Sequence, residues 1–179
     1  FRRVLFRSLV DVYFLVFIHL GTRRIWLSPC TEHPTGNWTT QQARNFVMHL
    51  DDEQLQCTYL CRDNDTKYVA ALDEVFRSID CTVKRSAVMS PNLQAHVERV
   101  IQTIKHEVLN AFCIVSNVHL NHLLRVTQDW YNHRRGHSAR EHLPPIREPD
   151  SPPTIDLATQ KLVCVEELGG HLKSYHAAA

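Results

Sequence analysis

Two acidic side chains, Asp63 and Glu98, are spaced so that they could hold a divalent metal ion. Asp63 follows the strand-like stretch "LQCTYLCR", and Glu98 lies in the second turn of a long expected helix, with 34 residues between them. Two carboxylates without a cation repel each other, so such a pair is usually found with a base or a metal ion, and Mg²⁺ and Mn²⁺ prefer oxygen ligands. A structural explanation is also available, because Asp favours turns after strands and Glu is common on helices.

The expected helix around Glu98 has a polar face and an apolar face. Gln102 and Lys105 follow Glu98 after four and then three residues, so the three side chains project from one side over about 10 Å of helix. The opposite stripe is apolar and consists of Val97, Val100, Ile101, Ile104 and Val108. The polar face could bind a metal ion at one end and follow a phosphate backbone at the other, but a solvated face has the same pattern.

Length and composition are those of one α/β or α+β domain with a short appendage. The chain has 179 residues, of which 44% are hydrophobic and 22% charged, and its formal net charge of +1 does not identify a partner. The six cysteines lack C-x-x-C and zinc-type spacing, so we expect small buried residues of a protein in a reducing cytoplasm. The N-terminal apolar run is far shorter than the ~20 residues that a membrane span requires.

The elements that must position the two acids are expected in the order β-β-α-β-α-β, followed by two further helices. Residues 9–30 predict an antiparallel hairpin, and residues 37–50 predict an amphipathic helix with Thr39 or Thr40 as its cap. The later segments are a strand at 57–63, a helix at 69–79, a strand at 81–86 and helices at 92–112 and 116–131. Such an order indicates a mixed sheet with helices packed on it.

Three ordered motifs resemble the catalytic core of bacterial insertion-sequence transposases and retroviral integrases, the DDE recombinases. They are "YLCRDNDTKY", "SPNLQAHVERVIQTIKHEV" and "WYNHRRGHSAREHLPP", and the resemblance covers residues 9 to about 145. It implies an α/β fold with a ribonuclease H-like mixed sheet flanked by helices. We therefore expect a partial integrase core at 9–142, a proline-rich linker at 143–153 and a short β-hairpin-like tail at 154–179.

The resemblance assigns roles to individual residues. Asp63 matches the second acid of the catalytic triad and Glu98 the third, which implies that both are catalytic and hold two Mg²⁺ or Mn²⁺ ions. Asp65 stands where the family usually has Gly, so the turn there must either avoid a positive φ or be strained. The implied DNA-binding residues are Asn92, Gln94, Arg99, Gln102, Lys105, Arg134, Arg135 and Arg140.

The first acid of the triad is expected upstream of Leu9. In the family it lies on the first strand, before a hairpin that matches residues 10–29, so Asp11 belongs to the second strand and is not an expected ligand. Residues 1–8, "FRRVLFRS", are what the genetic code gives for the tail of a common sequencing adapter. The central first strand is then missing or replaced by these non-native residues, and we expect this truncated chain to be inactive.

The implied function is DNA integration or transposition by metal-dependent strand cleavage and transfer. Two divalent ions would activate the attacking oxygen and stabilise the leaving one in an in-line displacement at phosphorus. The implied partners are element ends and target DNA, with a homo-oligomer for the full-length protein and no membrane. Two alternatives remain, a metal-dependent nuclease of the same fold that cuts without joining and a DNA-binding module without catalysis.

Overall fold

The computed structural model describes residues 2–5, 11–63, 65, 67–85, 91–147 and 161–177. The expected succession of strands and helices is confirmed within these ranges. In chain order the elements are β1 (Arg2–Leu5), β2 (Asp11–Phe14), β3 (Val16–Ile18), β4 (Ile25–Leu27), α1 (Gly36–Asp52), β5 (Tyr59–Arg62), α2 (Ala70–Arg77), β6 (Thr82–Arg85), α3 (Pro91–Glu107), α4 (Asn117–His133), β7 (Leu162–Glu167) and β8 (Leu172–Ala177). Short 3₁₀ turns lie at Leu109–Ala111 and Ser138–Arg140.

The predicted N-terminal hairpin is formed by β3 and β4, which pair antiparallel with Val16 opposite Leu27. Pairing resumes beyond an interruption, where Tyr13 and Thr31 exchange two backbone hydrogen bonds of 2.8 Å. At the interruption the Ser28 hydroxyl accepts a 2.8 Å bond from the backbone N–H of the residue before β3. A buried amide without a partner would be costly, so this side chain keeps the irregular stretch stable.

β1 pairs antiparallel with β2, with Leu5 opposite Asp11. Asp11 therefore begins the second strand, as the sequence indicated, and β1 is built from the segment that we expected to be non-native. The remaining ladders are β5 with β6, which are parallel, and β7 with β8. The described strands thus form four two-stranded ladders of mixed direction rather than one continuous sheet.

Two apolar clusters hold the helices against these strands. In the first cluster Val100, Ile104 and Val108 pack with residues of β2, β4 and α4, and Ile101 is also buried, so the predicted stripe of α3 is confirmed. The second cluster joins α1, α2 and the start of β6 through Ala43, Leu72, Phe76 and Cys81. None of the helices in the described ranges is long and apolar enough to cross a membrane.

The predicted cap of α1 was wrong. The helix begins at Gly36, and Thr35 is its N-cap, with an extended backbone and a hydroxyl that accepts a 3.2 Å bond from the Trp38 N–H. Thr39 and Thr40 lie inside the first turns, where both hydroxyls donate to the Gly36 carbonyl. Thr35 has the backbone conformation that a cap requires, which the two later threonines lack once they are helical.

The C-terminal segment forms the predicted hairpin, with a turn through Gly169 and Gly170 at φ values of +68° and +86°. Its first residue after the turn region, Leu172, is buried in the cluster around α3 and α4. The His171 ring lies 2.6 Å from the Glu107 carbonyl at the end of α3. The hairpin is therefore docked on the helices.

Candidate active site

Asp63 follows the carboxyl end of β5, in a turn built by aspartate side chains. Its Oδ1 accepts a 3.3 Å bond from the Asp65 N–H, and Asp65 in turn accepts a 2.9 Å bond from the Lys67 N–H. Aspartates favour turns because they can bond their own backbone two residues further on. Asp65 is not among the described residues with a positive φ, so this turn accommodates Asp in place of the expected Gly without that strain.

Glu98 is exposed on α3. Arg99, Gln102 and Lys105 are exposed on the same helix. The predicted amphipathic arrangement is thus present, and the polar residues of α3 face solvent. Asn92 and Gln94 belong to the first turn of α3, but their side chains lie outside what the structure describes.

Asp63 and Glu98 line the same cavity, which has a volume of about 760 Å³. The cavity lies between β3 and β5, and its walls are largely apolar, with Phe17, Leu60 and Ile101 among the lining residues. The structure therefore brings the two predicted acids to one concave site. Within the described ranges no group of three or more His, Cys, Asp or Glu side chains is placed to hold a metal ion.

The cavity borders strands of two separate ladders. β3 pairs with β4 and β5 pairs with β6, and residues 16–18 and 59–62 of β3 and β5 also line the cavity. The antiparallel hairpin and the parallel pair therefore meet at this cavity.

A cluster of charged residues behind Asp63 was missed by sequence reasoning. The Arg62 guanidinium donates to both carboxylate oxygens of Asp73, at 2.7 and 2.9 Å, and Arg85 donates to the same carboxylate at 3.2 Å. The side chain of Asp73 is 1% exposed, and the hydrogen bond from Arg62 holds the pKa of its carboxyl below the usual value. One signal was available, because Asp73 lies on the apolar face of α2 between Leu72 and Phe76.

Tyr68 also lines the cavity and was not predicted. Burial raises the pKa of its hydroxyl, and the negative charges of Asp63 and Asp65 raise it further. The Arg62 guanidinium lies over the Tyr68 ring, 5.5 Å from its centre. The hydroxyl therefore stays protonated at neutral pH, and Tyr68 presents a neutral polar group beside the two acids.

Comparisons with known proteins agree on the fold. Residues 79–145 match the family model described as an integrase core domain. The intasome structure of simian T-cell lymphotropic virus, in complex with the PP2A regulatory subunit B56 gamma, aligns over 99% of this chain with a TM-score of 0.64 and 14% identity. The chain has the fold of an integrase catalytic core. It spans 64% of the length of that intasome chain.

Two further integrase structures have the same fold as this chain. The HTLV-2 integrase catalytic core domain in complex with magnesium aligns over 76% of this chain and 85% of its own, with a TM-score of 0.58 and 14% identity. The catalytic core domain of BIV integrase aligns over 80% and 87%, with a TM-score of 0.57 and 15% identity. No curated protein sequence matches the chain. The family match includes Glu98 and the closing signature but begins after Asp63.

The signature "YNHRRGHSA" joins α4 to the hairpin of β3 and β4. The buried Asn132 side chain donates to the Ile25 carbonyl at 2.9 Å and accepts from the Ile25 N–H at 2.9 Å. His137 lies 4.6 Å from the Tyr131 ring, and burial, followed by the charge of Arg135, lowers the pKa of its imidazole. These effects favour a neutral His137.

Three predicted DNA-binding arginines lie in or next to this signature and have protein contacts. Arg135 donates to both carboxylate oxygens of Glu107, at 2.9 and 2.6 Å. Arg134 forms ion pairs with Asp129, at 3.2 Å, and with Glu167 of the C-terminal hairpin. Arg140 is half-buried, and its Nε has no hydrogen-bond partner in the described part of the chain. Contact of these residues with DNA stays a prediction.

Proposed function

We propose that this integrase core catalyses metal-dependent DNA strand cleavage and transfer, the chemistry of DNA integration and transposition. The observation that carries the proposal is the shared cavity of Asp63 and Glu98, on the fold of integrase cores. One of the similar structures is an integrase core in complex with magnesium, which favours Mg²⁺ as the cofactor, with Mn²⁺ as a chemical equivalent. The proposed location is the bacterial cytoplasm.

Asp63 and Glu98 would hold the divalent ions, because both supply carboxylate oxygens to the cavity. When bound, such ions activate the attacking oxygen and stabilise the leaving oxygen of a phosphodiester. Asp63 is held in place from two sides, by the Asp65 N–H on its carboxylate and by Arg62 on its carbonyl. Protonated Tyr68 can donate a hydrogen bond within the same cavity but cannot act as a base there.

The exposed face of α3 would position DNA. Arg99, Gln102 and Lys105 lie on the same helix as Glu98 and face solvent. Cations and amides in this arrangement can bind successive phosphates, which orients the duplex without reading its sequence. Arg134 and Arg135 would contribute only if a phosphate replaced their present protein partners, so we assign the main positioning role to α3.

We further propose that the site is completed by a strand between β3 and β5 that carries a third carboxylate. With only two carboxylates, water would fill most of the coordination positions of two metal ions. A third carboxylate would help to anchor both ions. The open edges of β3 and β5 border one largely apolar cavity that ends at Asp63 and Glu98.

A strand-transfer assay tests the proposed function. The full-length protein is incubated with labelled element-end DNA, target DNA and Mg²⁺. We expect cleavage and joining, both reduced at least about 100-fold by Glu98→Gln. Glu74→Gln, on the exposed face of α2, is the matched control and should keep full activity.

Each alternative function has its own outcome in this assay. Cleavage without joining would favour the nuclease, and DNA binding without cleavage would favour the non-catalytic module. Joining that survives Glu98→Gln would contradict the metal site. We also propose that the active form is a homo-oligomer on DNA, which light scattering of the protein–DNA complex would test.

A further inference from the structure

Cys57 and Cys81 are in direct contact although 24 residues separate them. Their sulfur atoms lie 3.2 Å apart. Cys57 precedes β5 and Cys81 precedes β6, and the Thr82 N–H donates a 2.9 Å bond to the Thr58 carbonyl, which holds the two chain segments side by side. Parallel pairing of the two strands thus brings together cysteines whose spacing in the sequence indicated no pair.

The two thiols differ in accessibility. Cys81 is 2% exposed, whereas Cys57 is half-buried and lines the cavity that contains Asp63. Burial raises the pKa of the Cys81 thiol to about 12, and the hydrogen bond with Cys57 raises it as well. The expectation that the cysteines are buried holds for Cys81 alone among the six, since Cys61, Cys113 and Cys164 are exposed and Cys30 is half-buried.

We propose that Cys57 and Cys81 form a reversible disulfide when the protein meets a hydroperoxide. A disulfide has a sulfur–sulfur distance of about 2.05 Å, so the two side chains need to approach by roughly 1 Å. Both cysteines lie outside the hydrogen-bonded residues of β5 and β6, where side-chain rotation can provide this approach. The other thiols have no such sulfur contact within the described ranges.

The accessible thiol reacts first. With hydrogen peroxide as the oxidant, the Cys57 sulfur takes up one oxygen to give a sulfenic acid, and the first water leaves. The Cys81 sulfur then attacks the Cys57 sulfur, the sulfur–oxygen bond breaks, and hydroxide leaves with the Cys81 proton as the second water. Two thiols lose two electrons and two protons, and one peroxide becomes two waters.

The bridge would close a loop that includes the segment presenting Asp63. Residues 57–81 contain β5, the aspartate turn and α2. A cross-link that closes such a loop stabilises the folded chain, mainly by restricting the unfolded one. The inference does not depend on the proposed function, because thiol chemistry can be followed in a chain that has no activity.

Peptide mapping of the oxidised chain tests the proposal. The protein, at low concentration, is treated with dilute hydrogen peroxide. The remaining thiols are then alkylated, and the digest is analysed by mass spectrometry. We expect a Cys57–Cys81 cross-linked peptide, four alkylated cysteines and a thermal midpoint raised by roughly 5 °C, all reversed by dithiothreitol. Cys57→Ser should abolish the cross-link, whereas Cys113→Ser should leave it unchanged.

Two results would overturn the proposal. One is that Cys57 accumulates as sulfinic acid while Cys81 keeps a free thiol, which is detected by its alkylation under denaturing conditions. The other is a digest in which Cys57 pairs with an exposed cysteine instead. The unsubstituted chain supplies both readouts, so the test does not depend on whether a serine variant folds.

Discussion

Arg62 and Asp73 form a bidentate ion pair that is almost completely buried directly behind the candidate metal ligand Asp63. The two nitrogen–oxygen distances are 2.7 and 2.9 Å, and the side chains are 7% and 1% exposed. A third nitrogen of Arg62 donates to the Asp63 carbonyl at 2.9 Å. The end of β5 is therefore anchored to α2 through charge, and the position of Asp63 depends on that anchor.

Asp73→Asn should destabilise the protein by about 3 kcal/mol, because it leaves the buried Arg62 guanidinium without its counter-charge. Urea denaturation of the variant and the parent would measure the change in the free energy of unfolding. Asp80→Asn is the matched control, since Asp80 is exposed and has a positive φ of 59°, which Asn tolerates. Equal losses in the two variants would contradict a structural role for the pair.

The stability supplied by Asp73 should also depend on pH. The hydrogen bond from Arg62 lowers the pKa of Asp73 in the folded protein below its ordinary value of 3.8. The folded state then binds this proton less readily than the unfolded state, so the contribution is complete above the unfolded pKa and is lost as the pH falls through the folded pKa. The difference between the parent and Asp73→Asn should be constant near neutrality and shrink below about pH 4. A constant difference down to about pH 2 would argue against the pair.

His137 should make the protein less stable in mild acid. Burial and the charge of Arg135 lower the pKa of His137 below 6.5, so the folded state takes up its proton at a lower pH than the unfolded state does. Stability should therefore fall as the pH drops below about 6.5, until the folded pKa is passed. Unfolding measured from about pH 8 to pH 5 should be less pH-dependent in His137→Gln. His122→Gln, at an exposed position on α4, should behave like the parent.

Asn132→Ala should cost about 2–3 kcal/mol. The substitution would leave both the N–H and the carbonyl of Ile25 buried without their side-chain partner. Asn110→Ala is the control, because the Asn110 side chain is exposed and lies 3.4 Å from the exposed His106 ring. Thermal denaturation would compare the two variants with the parent. A thermal midpoint of Asn132→Ala equal to that of the parent would show that the signature does not stabilise the hairpin of β3 and β4.

The predictions that held concern local patterns. The stripe of α3 was predictable because its apolar residues recur every three or four positions, and this period places them on one face whatever the rest of the chain does. The Gly169–Gly170 turn was predictable because both residues adopt a positive φ at little cost. The cap of α1 was not predictable, since three nearby threonines satisfy the same local rule. Only the extended backbone at the point where the chain enters the helix selects Thr35.

The sequence by itself determined the order of the elements, the faces of the helices and the two acids that could hold a metal ion, because these follow from local spacing and residue chemistry. Only the tertiary structure decided that Asp63 and Glu98 share a cavity, that Arg62 and Arg85 both meet Asp73, and that Cys57 touches Cys81. The contacts of Asp73 and of the two cysteines depend on the register of β5 and β6, which are parallel and joined through α2. Register is set by packing between distant segments, which no local pattern contains.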